Sequence, residues 1–425
     1  MKILVVCDNF SKGGLETQID TYYQNLSSND KMIFAFCKFT KTNLLKHATI
    51  YDGFNFSYND TIKDFCEDVE KLIEIIKKEK IDVIHVHPYY GYFASLFASQ
   101  LTKVKIVYSY HGISSFNFAK TNISQPLFLY AFECGAIAKV FSVSKIGIDC
   151  FNNFGYKNIV LLENPIDLKK FPVAKYVYNN KWLLVSRIDS DKIEEIKLII
   201  RKMNEFNIMQ IDILGDGSEI NNLEKFIEDN KLSEKVHLNG YSDKIYAEFT
   251  GKYNGIIGIG RVVLEALAMK VPCILIGNNK ITGYVNKKIY NQIKDINFIN
   301  RTINVSNNKM IDENEIESIF NDIKNNYSIK VVLKKYFEIF KESESIFMTN
   351  LVELYEEISV LNKNEELKNC YFHKERLVYN LVDKYVNKFS IKNDIVNIFV
   401  NANLTYELYD LVAYRINLMK ENKND

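Results

Sequence analysis

Residues Gly255 to Gly277, GIIGIGRVVLEALAMKVPCILIG, set a glycine pair, Gly258 and Gly260, between an apolar run and a short helical stretch that carries Glu265. A strand, a glycine turn and a helix in that order make a nucleotide pocket; the alternative is a buried strand-loop-helix whose glycines serve packing alone. The glycines let backbone amides approach phosphate oxygens, and a helix beginning near Val262 points its positive dipole end at them. Glu265, about one turn in, is placed to accept hydrogen bonds from ribose hydroxyls. Upstream, SRIDSDK separates Arg187 and Lys192 by four residues directly after the apolar run WLLVS. Cations in that place suit a pyrophosphate, because they neutralise charge that grows on a leaving group as its bond to phosphate oxygen breaks. The chemistry implied is departure of a nucleoside diphosphate.

Other polar residues carry weaker signals. His111 opens an HG pair at the end of an expected strand, where parallel-sheet proteins place ligand contacts. His85 and His87 fall on one face of a strand, yet no matched carboxylate or cysteine set accompanies them, so they are expected in the core and no metal is implied. Asp189-Ser190-Asp191 spells an acidic triplet capable of holding a metal on a diphosphate. It sits inside the Arg-x4-Lys loop, where cations already supply the charge, and a solvated loop is the expectation. Glu16 could stabilise its own helix N-terminus or touch an acceptor.

The elements that must position these groups alternate short apolar runs with helical periods, the pattern of parallel sheets with crossover helices. One series of strands is expected at Ile3–Cys7, Met32–Phe36, Val83–Val86, Ile106–Tyr110, Lys139–Val143 and Ile159–Leu162. A second comprises Trp182–Val185, Ile211–Leu214, Val236–Asn239, Gly255–Ile259 and Cys273–Ile276. Pro165 and Pro172 lie between the two series and mark a linker. Every glycine and every proline lies at or before Gly283, so the remainder reads as helices separated by polar turns. Leu377, Leu381 and Tyr385, then Leu404, Leu408 and Leu411, give the tail apolar periods that suit a packed helical appendage.

Taken in order, the motifs resemble a retaining glycosyltransferase of family four with the GT-B fold. They are FSKGGLET with Gly13 and Gly14, DVIHVH at Asp82 to His87, YSYHG with His111, ENPID at Glu163 to Asp167, and the Arg-x4-Lys pair. The GDG turn at Gly215 to Gly217, VHLNGY ending at Tyr241, and LEALAMKVPCI complete the set. Each motif alone is weak; eight in order are specific. The resemblance implies an α/β chain of two Rossmann-like domains facing across a cleft, with a helical C-terminal extension. The expected boundaries are 1–165 for the acceptor domain, 166–180 for the linker and 181–345 for the donor domain. A closing helix at 346–360 crosses back to the first domain, and 361–425 forms the appendage.

It further implies that His111, near the reacting sugar, hydrogen-bonds a donor hydroxyl and that Arg187 and Lys192 stabilise the departing diphosphate. Gly13, Gly14, Gly215, Gly217, Tyr241, Gly258, Gly260, Arg261, Val262 and Glu265 would contact the donor, a UDP- or GDP-linked sugar, with no other cofactor. The acceptor would be a hydroxyl of a glycan or lipid-linked molecule of a bacterial surface polysaccharide. The family usually carries two glutamates eight apart; Glu265 matches the second and Ile257 stands in place of the first. A branch reading GxGRxxxEA shares this departure, which Gly258, Gly260, Arg261 and Glu265 fit, as does INFINR at Ile296 to Arg301.

Composition narrows the alternatives. A chain of 425 residues can bury two cores, and 47% hydrophobic with 25% charged residues excludes a disordered class. A net charge of +1 gives no overall signal for nucleic acid. Seven cysteines without CxxC spacing read as reduced core residues, and with no signal peptide or apolar run of about 20 residues the expected compartment is the cytoplasm. The aromatic segments Tyr89 to Phe97 and Pro126 to Phe132 are expected to pack in the core; the alternative is peripheral contact with a membrane carrying the acceptor. A nicotinamide oxidoreductase would need GxGxxG after the first strand, and MKILVVCDNFSKGG lacks it. A catalytically silent partner subunit that binds nucleotide sugar or glycan is the other alternative, motivated by Ile257.

Overall fold

The structure, a computed structural model, describes residues 1–11, 13–40, 43–88, 90–112, 123–153, 158–242, 244–300, 303 and 306–386. The chain divides into two units, 1–162 with 334–425, and 163–333.

In unit 1 the elements run β1 (Lys2–Phe10), α1 (Gly14–Gln24), β2 (Lys31–Phe39), β3 (Thr49–Tyr51), α2 (Ile62–Glu79), β4 (Val83–Val86), α3 (Gly91–Thr102), β5 (Lys105–Tyr110), α4 (Ser124–Glu133), β6 (Ile137–Ser142), α5 (Lys145–Asn153) and β7 (Ile159–Leu161). All seven strands are parallel, in the order β3-β2-β1-β4-β5-β6-β7. A parallel sheet is covered on both faces, which explains why β1 reads as an unbroken apolar run: Ile3, Leu4, Val5 and Val6 are all buried. Strand order reverses between β1 and β4, so the carboxyl ends of those strands form the switch point where such sheets take ligands. Helix α2 starts at a capping box, with Asp64 N donating to Thr61 Oγ1 and Thr61 N donating back to Asp64 Oδ2, both at 3.1 Å.

Unit 2 contains β8 (Lys181–Val185), α6 (Ile193–Arg201), β9 (Gln210–Leu214), α7 (Ile220–Asp229), β10 (Val236–Leu238), α8 (Ile245–Phe249), β11 (Gly255–Gly258), α9 (Arg261–Ala268), β12 (Cys273–Gly277), β13 (Lys280–Tyr284), α10 (Lys287–Ile293) and α11 (Glu313–Asn326). Its sheet order is β10-β9-β8-β11-β12-β13, parallel except for β13. The switch point lies between β8 and β11. The chain returns through α12 (Ile329–Glu342), α13 (Thr349–Asn362) and α14 (Arg376–Val386).

Two parallel-sheet α/β units and a helical C-terminal region are the architecture expected, but details differ. β3 and β13 were not expected. β13 follows a two-residue turn in which Asn278 and Asn279 both take positive φ, a hairpin that asparagine tolerates well. Residues 166–180, expected as a linker, fall within unit 2. Their backbone groups are spoken for: Ile166 N donates to Tyr327 O at 2.8 Å, Ala174 N to Met269 O at 3.0 Å and Val177 N to Tyr253 O at 2.9 Å. Unit 1 resumes at Lys334, inside α12, earlier than the expected closing helix.

α13 lays Leu351, Leu354 and Ile358 against α2 and α3, all fully buried. The segment beyond it is no loose appendage. Ile62 N donates to Cys370 O and Lys63 N to Lys368 O, both at 2.9 Å, and Phe372 stacks on Phe65 with ring centroids 3.9 Å apart. On α14 the buried row is Val378, Val382 and Val386, one residue over from Leu377, Leu381 and Tyr385; both rows are apolar at the same period. Leu404, Leu408 and Leu411 lie outside the described residues, as does Arg301. Tyr92, Phe93, Leu96 and Phe97 of α3 and Leu127, Phe128, Tyr130 and Phe132 of α4 are core residues, as expected; Tyr89 is not described. Among the described residues no helix is long and apolar enough to cross a membrane.

Candidate functional site

At the switch point of unit 2 the loop after β8 presents the two expected cations together. Arg187 is more than half exposed; its Nη1 lies 2.8 Å from Asp189 Oδ2 and its Nη2 3.5 Å from Asp191 Oδ2. Lys192 Nζ lies 3.3 Å from the same Asp191 oxygen and 3.5 Å from Oε1 of buried Glu195. The acidic triplet therefore pairs with the cations, and exposed pairs of this kind are weak and open to exchange for a diphosphate. Asp189 Oδ1 is occupied elsewhere, accepting from Ser218 N at 3.0 Å and Ser218 Oγ at 3.2 Å. Among the described residues no group of three or more His, Cys, Asp or Glu side chains is arranged to hold a metal.

The GDG turn backs this loop. A Cβ on Gly215 would stand 1.9 Å from Ser186 O, and one on Gly217 would stand 2.4 Å from Ile188 O. Ile188 N donates to Asp216 O at 3.0 Å and Glu219 N to Ile188 O at 2.8 Å. Only residues without a side chain allow the two loops to zip together so closely. The contact seen for these glycines is thus with the cation loop. Tyr241, just past β10, is half exposed.

Across the switch point, Gly258 lies under Val262, whose Cγ1 would be 2.5 Å from an added Cβ. Gly260, at φ +62°, is the residue before α9 and has open space around its missing side chain; backbone conformation demands glycine there. Its amide, expected to meet phosphate, instead donates to Phe298 O at 2.8 Å. Arg261 is nearly buried: its side chain is 9% exposed, Nε donates to Glu265 Oε1 at 2.9 Å and Nη1 donates to Pro165 O at 3.0 Å. Glu265 is 4% exposed, and its carboxyl is pushed up by burial while the Arg261 guanidinium pulls it back down. In this arrangement its Oε1 accepts from the Arg261 guanidinium. Ile257, aligned with the missing glutamate, is fully buried in the sheet core with Leu184 and Ile274, its partners in register on β8 and β12.

The residues that brace the glycine loop were not singled out as site residues, although both motifs were legible. Asn164 Nδ2 donates to Asn297 Oδ1 at 2.6 Å, tying ENPID to INFIN. Asn297 and Phe298 both take positive φ, which turns the Phe298 carbonyl onto Gly260. Asn300, fully buried, bonds Asn278 and Thr282 and so holds the β12–β13 hairpin.

In unit 1, Gly13 is extended and the site of its Cβ is filled by the Glu16 carboxylate, while Gly14 opens α1 with free space around it. Glu16 Oε1 accepts from Ser11 N at 3.3 Å, which closes the β1–α1 loop. Asp8 at the carboxyl end of β1 accepts from Tyr90 N at 3.0 Å and Gly91 N at 2.9 Å and so caps α3. His111 follows β5 and its Nε2 meets His87 Nδ1 at 3.0 Å. Burial holds the His111 pKa down at about 4.

Two parallel-sheet units with these orders define the GT-B class of fold. Residues 12–170 match the model of Glycosyltransferase Family 4. The chain is 30% identical over 122 residues to the poly(glycerol-phosphate) alpha-glucosyltransferase of Bacillus subtilis (strain 168), covering 27% of this chain and 18% of that one. It is 26% identical over 216 residues to the poly(ribitol-phosphate) alpha-N-acetylglucosaminyltransferase of Staphylococcus aureus (strain COL), covering 45% and 41%. The chain thus spans less than half the length of either relative. A crystal structure of a glycosyltransferase from Rickettsia africae ESF-5 superposes with a TM-score of 0.59 at 21% identity, over 80% of this chain and 98% of that one.

Proposed function

We propose that the chain transfers a sugar from a nucleoside diphosphate to a hydroxyl of a surface polymer, with retention of anomeric configuration and without a metal. The observation that carries this is the placement of a half-exposed Arg187 and of Lys192 in the loop after β8, the strand next to β11, whose glycine loop starts α9. Arg187 and Lys192 exchange their aspartates for the diphosphate and stabilise it as it leaves. Gly13, Gly14, Gly215, Gly217, Tyr241, Gly258, Gly260 and Val262 line or shape the donor site. His111 hydrogen-bonds a sugar hydroxyl. Retention proceeds by front-face displacement, the donor phosphate helping to take the acceptor proton. The curated relatives act on polyol-phosphate polymers, which makes such a polymer the first acceptor to try.

The test is a panel of UDP- and GDP-sugars with poly(glycerol phosphate) and poly(ribitol phosphate), followed by release of the free nucleotide in the presence of EDTA. Acceptor-dependent release that survives EDTA supports the proposal; release restored only by magnesium or manganese would make Asp189 and Asp191 metal ligands. A second reading, a silent binding subunit, is favoured by one observation: Glu265 is held in a buried pair and Ile257 offers no carboxylate. Binding of a sugar nucleotide with neither hydrolysis nor transfer across the panel would select it.

A further inference from the structure

Two buried histidines that the proposed reaction does not use lie beside His111. His85 and His87 point to one side of the sheet because side chains alternate along a strand, and each is 1% exposed. A buried imidazole costs stability unless its nitrogens are bonded. His85 has both satisfied, Nδ1 at 2.8 Å from the Tyr336 hydroxyl on α12 and Nε2 at 2.7 Å from Ser109 Oγ on β5. His87 spends its Nδ1 differently, on His111 Nε2 at 3.0 Å. The His87 ring is backed by His85 at a centroid separation of 4.3 Å, and its main chain is fixed by His87 N donating to Val6 O at 2.8 Å. The chain of rings thus runs from a rigid helix contact to the carboxyl edge of the sheet.

Two imidazole nitrogens at this distance share one hydrogen, so one ring donates and the other accepts. Burial, with the neighbouring histidines, holds His87 well below the ordinary range, and burial holds His111 down as well, which keeps both rings neutral near neutrality.

We propose that His87 is a positioning residue for His111: His87 Nδ1 donates to His111 Nε2, which fixes the plane of the His111 ring and leaves its hydrogen on Nδ1, the tautomer in which the ring meets a sugar hydroxyl. The inference rests on the sugar-contact role given to His111 above. A ring needed only for packing would be served equally by phenylalanine.

Three variants of the full chain test it: His87→Phe, which keeps the ring and loses the bond; His87→Asn, whose Nδ2 can replace Nδ1; and His111→Ala. The readouts are UDP affinity, hydrolysis of UDP-glucose and UDP-N-acetylglucosamine, and ring-nitrogen NMR shifts of His111. Expected for His87→Phe are a fall in kcat of at least about tenfold, UDP affinity unchanged within about twofold, and a His111 ring that passes from one tautomer to a mixture. His87→Asn should recover part of kcat and the single tautomer. A His87→Phe protein with wild-type kcat and a single His111 tautomer overturns the inference. Should His111→Ala hydrolyse donor at the wild-type rate, the role of His111 falls. The tautomer then still decides the positioning claim, a mixture in His87→Phe supporting it and no change overturning it. If His87→Phe does not fold, His87→Leu, which also removes the bond, is read in its place: a mixture of His111 tautomers supports the claim and a single tautomer overturns it.

Discussion

Arg261 Nε donates to Glu265 Oε1 at 2.9 Å one turn along α9, and the same guanidinium reaches Pro165 O at 3.0 Å, so one buried cation joins the ribose-site candidate to the ENPID segment. Removing one partner of such a pair leaves a buried charge uncompensated, at a cost of about 3–5 kcal/mol. Arg261→Ala should therefore lower stability to urea by roughly that amount, where an arginine serving donor phosphate alone would lower only affinity. Replacing both residues, as Arg261→Leu with Glu265→Met, should restore much of the stability. A wild-type urea midpoint for Arg261→Ala would show that the pair is not formed.

The GDG turn makes a second prediction. Because a Cβ on Gly215 would sit 1.9 Å from Ser186 O and one on Gly217 2.4 Å from Ile188 O, alanine at either place must push the cation loop away. Each substitution should cost about 1–3 kcal/mol in an unfolding measurement, with weaker UDP binding as the loop moves. Neutral behaviour of both would mean that the loops are not in contact.

Asp212 predicts an acid limb. Burial opposes its charge, yet hydrogen bonds from Gln210, Tyr253, His237 and Lys181 outweigh that and hold its carboxyl at about 2. A pKa below the unfolded value of about 3.9 means stability that is fully present above that value and lost as pH falls toward 2. Asp212→Asn should flatten the pH dependence of the unfolding midpoint between roughly pH 4 and 2. An unchanged slope would remove the network from the account.

Truncation after Asn362 tests the tail. That cut removes Phe372 from its stack on Phe65, the backbone bonds to α2 and the Val378, Val382, Val386 row. Burial of one phenylalanine alone contributes about 2–3 kcal/mol, so the melting temperature should fall by several degrees or unit 1 should lose cooperative unfolding. A truncated protein as stable as the full chain would show that these contacts add nothing to the stability of unit 1.

Strands and glycine loops were legible because parallel strands are continuous apolar runs and because Gly258, Gly260 and the Arg187 to Lys192 spacing stand out in the local sequence. What local sequence could not tell was which partner each polar group takes. Arg261 and Glu265 are four apart on a helix, which allows a pair, but the guanidinium's further bond goes to Pro165 O, about a hundred positions upstream. The His87–His111 contact has the same origin, since two strands adjacent in the sheet bring together residues distant in sequence. Residues 166–180 looked like a linker because proline density is read locally, whereas their hydrogen-bond partners lie at Tyr253, Met269 and Tyr327. The α14 face was displaced by one residue because two adjacent apolar rows satisfy the same period.

The central claim, a nucleoside diphosphate held by the cations after β8, is tested most directly by calorimetric titration of the chain and its Arg187→Ala and Lys192→Ala variants with UDP and GDP. Saturable binding of one nucleotide by the wild type is expected, with a rise of at least about tenfold in the dissociation constant for each variant, the scale of one lost charge-assisted hydrogen bond, and an unchanged unfolding midpoint. Wild-type affinity in both variants, or no binding of either nucleotide by the intact chain, would contradict it.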